Sequence, residues 1–162
     1  MGIDPGSLCT GYGIVEETPA GLSSVHFGSI KSSSKHPFER RLKNIYDGLT
    51  AVMEEYQPET VAVEDVFFAA NAKSSIKLGQ TRGVALLAAA NRDIALAEYT
   101  PLEVKQAVTA YGRADKRQVQ DMVATLLKLR EKPEPLDASD ALAVAICHLN
   151  SYQARERLKT GA

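Results

Sequence analysis

Apolar residues recur along the chain at two spacings, and the points where the spacing changes mark its elements. Tyr12 to Glu16 reads as a strand. Over residues 22–30, Val25, Phe27 and Ser29 alternate with Ser24, His26 and Gly28, which predicts another. With the apolar start at Met1 to Asp4 they make three strands joined by short turns, as in an antiparallel meander. From Pro37 to Tyr56 the period becomes helical, through Phe38, Leu42, Ile45, Leu49, Val52 and Tyr56. Pro58 follows as a stop signal. Thr60 to Val66 is β-branched and apolar on both faces until its acids, the pattern of a buried parallel strand. A long helix is predicted over 71–92 and a strand over 94–99. Three helices follow, from Pro101 to about Tyr111, over 115–129, and over 137–150. The order βββαβαβααα predicts an α/β domain, a five-stranded mixed sheet flanked by helices. One domain over residues 1–150 accounts for the pattern, and residues 151–162 read as a polar, basic tail that frays.

Composition narrows the classes. Cys9 and Cys147 stand far apart without a C-x-x-C, so they read as reduced core thiols of a cytoplasmic protein. The start carries no basic segment followed by an apolar stretch, so no secretory signal is expected. Unbroken apolar runs reach only seven residues, against about 18 for a membrane span, so no membrane association is expected. The formal charge is −1 over 162 residues, which excludes a uniformly basic coat. That total hides blocks: residues 31–43 sum to +4, 44–65 to −6, and 71–92 to +4 with no acid. Such blocks describe either ordinary solvated faces or an acidic centre with basic flanks. The second arrangement suits metal ions and a polyanion together.

Four acids occupy notable positions. Asp4 ends the first strand, Glu64 closes the buried one, and Asp137 and Asp140 open the last helix. Each has a plainer reading: a turn at Asp4-Pro5-Gly6, a strand end meeting water, a helix N-cap. Together they suggest more. Asp137 and Asp140 share a helix face that continues through Ala141, Val144 and Ala145, so they are expected to look toward the core. Open α/β sheets keep their sites at the carboxyl ends of strands. Carboxylates crowded there are costly without a cation, and with no convergent Cys or His they suit Mg²⁺ or Mn²⁺ rather than zinc.

The segments carrying these acids resemble the RuvC family of Holliday-junction resolvases, which has a ribonuclease-H-like fold. The likeness begins at Gly2-Ile3-Asp4-Pro5-Gly6-Ser7 and Thr10-Gly11-Tyr12-Gly13. It continues through Val63-Glu64-Asp65-Val66-Phe67, Lys77-Leu78-Gly79-Gln80 with Arg82-Gly83, Val104-Lys105-Gln106 and Lys116-x-Gln118-Val119. It ends in Asp137-Ala138-Ser139-Asp140-Ala141-Leu142-Ala143. The resemblance implies a homodimeric endodeoxyribonuclease that resolves four-way junctions by paired symmetric nicks, leaving 5′-phosphate and 3′-hydroxyl ends. Asp4, Glu64, Asp137 and Asp140 match the family's metal-binding acids, implying two Mg²⁺ per subunit with Mn²⁺ as a substitute. A RuvA–RuvB branch-migration complex is the implied partner. Two departures stand out. Family members commonly carry more apolar residues before Gly-Ile-Asp, so a trimmed start could loosen Asp4 and bring it near an amino group. The family's Gly-x-Gly reads Ala110-Tyr111-Gly112 here.

The resemblance also places Lys105 and Lys116 at the scissile phosphate and Phe67 at the junction centre, stacked on a base. Lys73, Lys77, Arg82, Arg113 and Arg117 are candidates for phosphate contacts. Gly79 and Gly83, four apart on a helix, suggest close packing onto the sheet or a two-fold helix contact between subunits. Three alternatives remain: a ribonuclease-H-like enzyme acting on RNA, an actin-like ATP-binding module, and a junction-binding protein without catalysis. The length and the single phosphate-loop-like motif weigh against the ATPase.

Overall fold

A computed structural model describes residues 1–65 and 72–160. The strands are β1 (Gly2–Asp4), β2 (Cys9–Thr18), β3 (Gly21–Lys31), β4 (Thr60–Glu64) and β5 (Ala95–Tyr99). The helices are α1 (Phe38–Tyr56), α2 (Ala72–Ala90), α3 (Pro101–Thr109), α4 (Lys116–Leu126) and α5 (Leu136–Thr160). The expected order is present. The last helix differs: it runs past Asn150 through Thr160, where the polar sequence suggested fraying. It also begins at Leu136, which puts Asp137 inside its first turn rather than at its cap.

The strands form one sheet in the order β3-β2-β1-β4-β5. β1 pairs antiparallel with β2 and parallel with β4, and β4 pairs parallel with β5. Side-chain alternation then divides the interior. Ile3, Val61 and Val63 point to the face covered by α1 and α2 and are fully buried with Ile45, Leu49 and Met53. Ala62 and Tyr99 point to the other face, against α3, α4 and α5. Asp4 and Glu64 lie two residues beyond Gly2 and Ala62, so the same alternation aims them at the α5 face.

That face is closed by backbone contact. A Cβ added to Gly11 would lie 1.8 Å from the Asp137 carbonyl oxygen, and one on Gly2 would lie 2.1 Å from that of Ala141. No side chain fits either place. The two glycines let the first turns of α5 lie directly on β1 and β2.

The short first strand is firmly held. Its amino group donates to the Thr60 carbonyl at 2.8 Å, and burial lowers that group's pKa to about 6. The amino group sits at the opposite end of β1 from Asp4. The expected loosening of Asp4 by a nearby amino group is therefore not found.

Candidate active site

Three elements deliver the acids to one end of the sheet. β1 supplies Asp4, β4 supplies Glu64, and α5 supplies Asp137 and Asp140, brought onto β2 by the gap at Gly11. The loop after Asp4 is closed by buried Thr10, whose hydroxyl donates to the Gly6 carbonyl at 2.8 Å.

The acids sense one another. Burial first, then the charges of Glu64 and Asp140, raises the Asp4 pKa to about 8. Burial and the Asp140 charge raise Glu64 to about 7, while Lys116, Lys105 and a hydrogen bond from Asp4 pull it back. A hydrogen bond between two carboxyl groups needs a proton, so the pair holds one near neutrality.

Lys116 is the first residue of α4. Its position is fixed by a capping box: Asp115 accepts from the amides of Arg117 and Gln118, and Gln118 reaches back to the Asp115 amide. From there its ammonium pairs with the mostly buried Asp140. Burial disfavours that ammonium, yet the hydrogen bond and charge of Asp140, then Asp4 and Asp137, hold its pKa above the ordinary lysine value. Lys105, half-buried on α3, faces Glu64 closely enough to stabilise its charged form. The two lysines expected at the site are therefore beside the acids.

The donor set is four carboxylates, which suits a hard divalent cation. Among the described residues no three Asp, Glu, His or Cys side chains are already arranged to hold an ion. Asp4 is tied to Glu64, and the Lys116 ammonium stands on Asp140. The residues fit the group by chemistry and by their shared need for positive charge.

Other expected positions divide. Arg113, Arg117 and Lys73 are exposed. Lys77 stands over the Phe38 ring, its ammonium 5.7 Å from the centroid, beside Arg41 at 5.1 Å. Arg82 differs from the expectation of a phosphate contact. Its guanidinium pairs with Asp65 at 3.4 Å and also with Glu98, so two acids already answer its charge and it braces β4 against β5. Among the described residues Gly79 and Gly83 meet nothing within 4 Å, so packing onto the sheet does not explain them. Phe67 lies outside the described residues.

Two site residues escaped the sequence reading. Cys9 has its thiol hydrogen-bonded to Asp137 and Ser29; burial and Asp137 raise its pKa while Ser29 opposes. A core thiol was expected, and the residue is instead half-buried at the edge of the site. Gly11 stands within the Thr10-Gly11-Tyr12-Gly13 motif, and the 1.8 Å approach of the Asp137 carbonyl leaves no room there for a side chain.

The family model "Crossover junction endodeoxyribonuclease RuvC" matches residues 1–148. A crossover junction endodeoxyribonuclease RuvC of Pelobacter propionicus is 55% identical over 152 residues, covering 94% of this chain and 86% of that protein. The one from Geobacter sulfurreducens is 51% identical over 160 residues, covering 99% and 97%. A solved structure, T. thermophilus RuvC in complex with Holliday junction substrate, superposes with a TM-score of 0.85. It is 32% identical and covers 94% of both chains. The RNA-directed and ATP-binding alternatives are not favoured by these relatives.

Proposed function

The chain belongs to the RuvC family of crossover junction endodeoxyribonucleases, and on that premise we propose how its own residues cut and hold DNA. The protein is a hydrolase of DNA phosphodiester bonds that resolves Holliday junctions in recombination and repair. Nucleases of this family depend on divalent metal ions. The observation that carries the residue-level reading is the meeting of Asp4, Glu64, Asp137 and Asp140 at one sheet end, with Lys116 on Asp140.

Asp4, Glu64, Asp137 and Asp140 are the residues that hold Mg²⁺, two ions per subunit, with Mn²⁺ as a substitute. A divalent cation held there would polarise the scissile phosphodiester and acidify an attacking water. The protein's own part is positional. Asp4 and Glu64 would release their shared proton to solvent on holding such an ion. Lys116 then leaves Asp140 and turns its charge to the phosphate, where charge builds in the transition state. Lys105 balances Glu64 from the other side. The bond broken is that to the 3′ oxygen, leaving 5′-phosphate and 3′-hydroxyl ends.

Lys73, Lys77, Arg113 and Arg117 contact phosphates of the arms, and Phe67 stacks on a base at the junction centre. The open faces of Gly79 and Gly83 on α2 support a two-fold contact between subunits. A homodimer places two sites for paired symmetric nicks, and RuvA–RuvB is its branch-migration partner in the cytoplasm.

The test uses a synthetic four-way junction with Mg²⁺ beside linear duplex and an RNA–DNA hybrid. Paired symmetric nicks confined to the junction are expected, and equal cutting of the hybrid refutes the reading. Asp4→Asn is expected to bind the junction without cutting it.

A further inference from the structure

A second polar feature lies at the same end of the sheet as the acids. An open groove of about 480 Å³ separates the end of β3 from the first turns of α1. Lys31, His36, Arg40, Lys43 and Asn44 line it together with one acid, Asp47. Strand register fixes its distance from the site. Asp4 pairs with Gly11, Gly11 pairs with Ser29, and Cys9 pairs with Lys31. Lys31 is therefore two strand spacings, roughly 10 Å, across from the strand of Asp4. The Cys9 thiol bridges the gap, hydrogen-bonded to Asp137 on one side and Ser29 on the other, with Lys31 near enough to influence it.

The groove is built and positively charged. Asn44 donates to the Lys31 carbonyl at 3.1 Å and to the Ser32 hydroxyl at 3.0 Å, tying its two walls together. Lys31, Lys35 and Arg40 make no ion pair among the described residues, while Lys43 is paired with Asp47 at 2.5 Å. Pro37 caps α1 without a side-chain hydrogen bond, so the positive end of a 19-residue helix adds to the same field. Among the described residues that line it there is no large apolar side chain, and its one ring is the His36 imidazole. Exposed cations and hydroxyls at the sheet end that also carries the four acids suit phosphate oxygens.

We propose that this groove carries the sugar–phosphate backbone of a junction arm away from the cleavage site, with Lys31 and Arg40 each neutralising one phosphate. The proposal rests on the junction-cleaving reading above. It assigns a role to the +4 block at residues 31–43, which the motifs of the family-like segments leave out.

The test titrates a labelled four-way junction against the full chain between about 50 and 200 mM salt, with Asp4→Asn present throughout so that nothing is cut. Adding Lys31→Ala and Arg40→Ala is expected to weaken binding roughly tenfold. The log–log salt slope is expected to flatten by about 1.8, or 0.9 for each phosphate lost. Arg40→Gln alone is expected to show about half of that flattening. Lys128→Ala removes an exposed cation bound to the Ala20 carbonyl at 3.0 Å, at the β2–β3 hairpin, and is expected to change neither quantity. An unchanged slope in the double variant, or an equal loss in Lys128→Ala, overturns the groove. If the Asp4→Asn parent itself prefers no junction over linear duplex, the junction reading falls and the groove with it.

Discussion

On one face of the sheet α5 lies against the bare backbone at Gly2 and Gly11, while on the other α2 turns Gly79 and Gly83 to open space. The same residue type therefore has opposite physical meanings in one chain. At Gly11 the missing side chain is filled by the Asp137 carbonyl, and that approach sets two acids beside Asp4. At Gly79 and Gly83 the helix bears the cost of glycine and gains no contact among the described residues. What the difference teaches is that the first pair is compensated inside the fold, while no neighbour among the described residues compensates the second.

The largest expected effect breaks the inner contact. Gly11→Ala puts a methyl group where backbone already stands, so α5 must shift. A loss of about 3 kcal/mol or more in chemical denaturation is expected, with cleavage abolished. A stable, active variant refutes the account of how Asp137 and Asp140 are positioned.

Next is the carboxylate that this contact serves. Asp4→Asn is expected to lower junction cutting on the order of 10³-fold while retaining binding. The same variant carries a pH signature. The Asp4 and Glu64 pKa values are raised to about 8 and about 7, so the folded state holds protons that the unfolded chain releases. Their contribution to stability is therefore greatest below the ordinary carboxylate range and is lost as pH rises toward 8. In chelator, the wild-type Tm is expected to fall relative to Asp4→Asn between pH 5 and pH 8. Magnesium is expected to restore more of it in wild type than in the variant. A parallel pair of Tm curves refutes the raised carboxyl.

Lys116→Ala removes the cation that answers Asp140 without the metal. A fall of about 10²-fold in the cutting rate at saturating junction is expected, measured under single turnover. Little change in affinity distinguishes it from the groove variants.

The smallest effects test the outer glycines. Gly79→Ala and Gly83→Ala meet no clash among the described residues, and each is expected to stabilise the helix by up to about 1 kcal/mol. If α2 forms the two-fold contact, sedimentation gives about twice 17.5 kDa for the wild type and a shift toward monomer for Gly79→Leu. An unchanged dimer moves the interface elsewhere.

Much of this was legible in the chain itself. The change from period 2 to helical spacing at Pro37 marks the end of the meander. Alternation alone assigns Ile3 and Val63 to one face and Asp4 and Glu64 to the other, because a strand turns each successive side chain over. The three-residue step from Asp137 to Asp140 places both on one helix face. These are local properties, set by backbone geometry and neighbouring residues.

Contacts between distant segments could not be read that way. Arg82 looked like any cation in a basic stretch until Asp65 and Glu98 were found around it. Cys9 read as a core thiol until the register set it between Asp137 and Ser29. The glycines in Thr10-Gly11-Tyr12-Gly13 were visible as a motif, but the carbonyl that fills the space at Gly11 arrives from 126 residues away. The sequence by itself determined the elements, the faces they bury and the identity of four acids, since periodicity and residue chemistry are local. Only the tertiary structure decided which charges are answered, which glycines are filled and where the unpaired cations gather. Those depend on packing between segments that the order of residues does not place together.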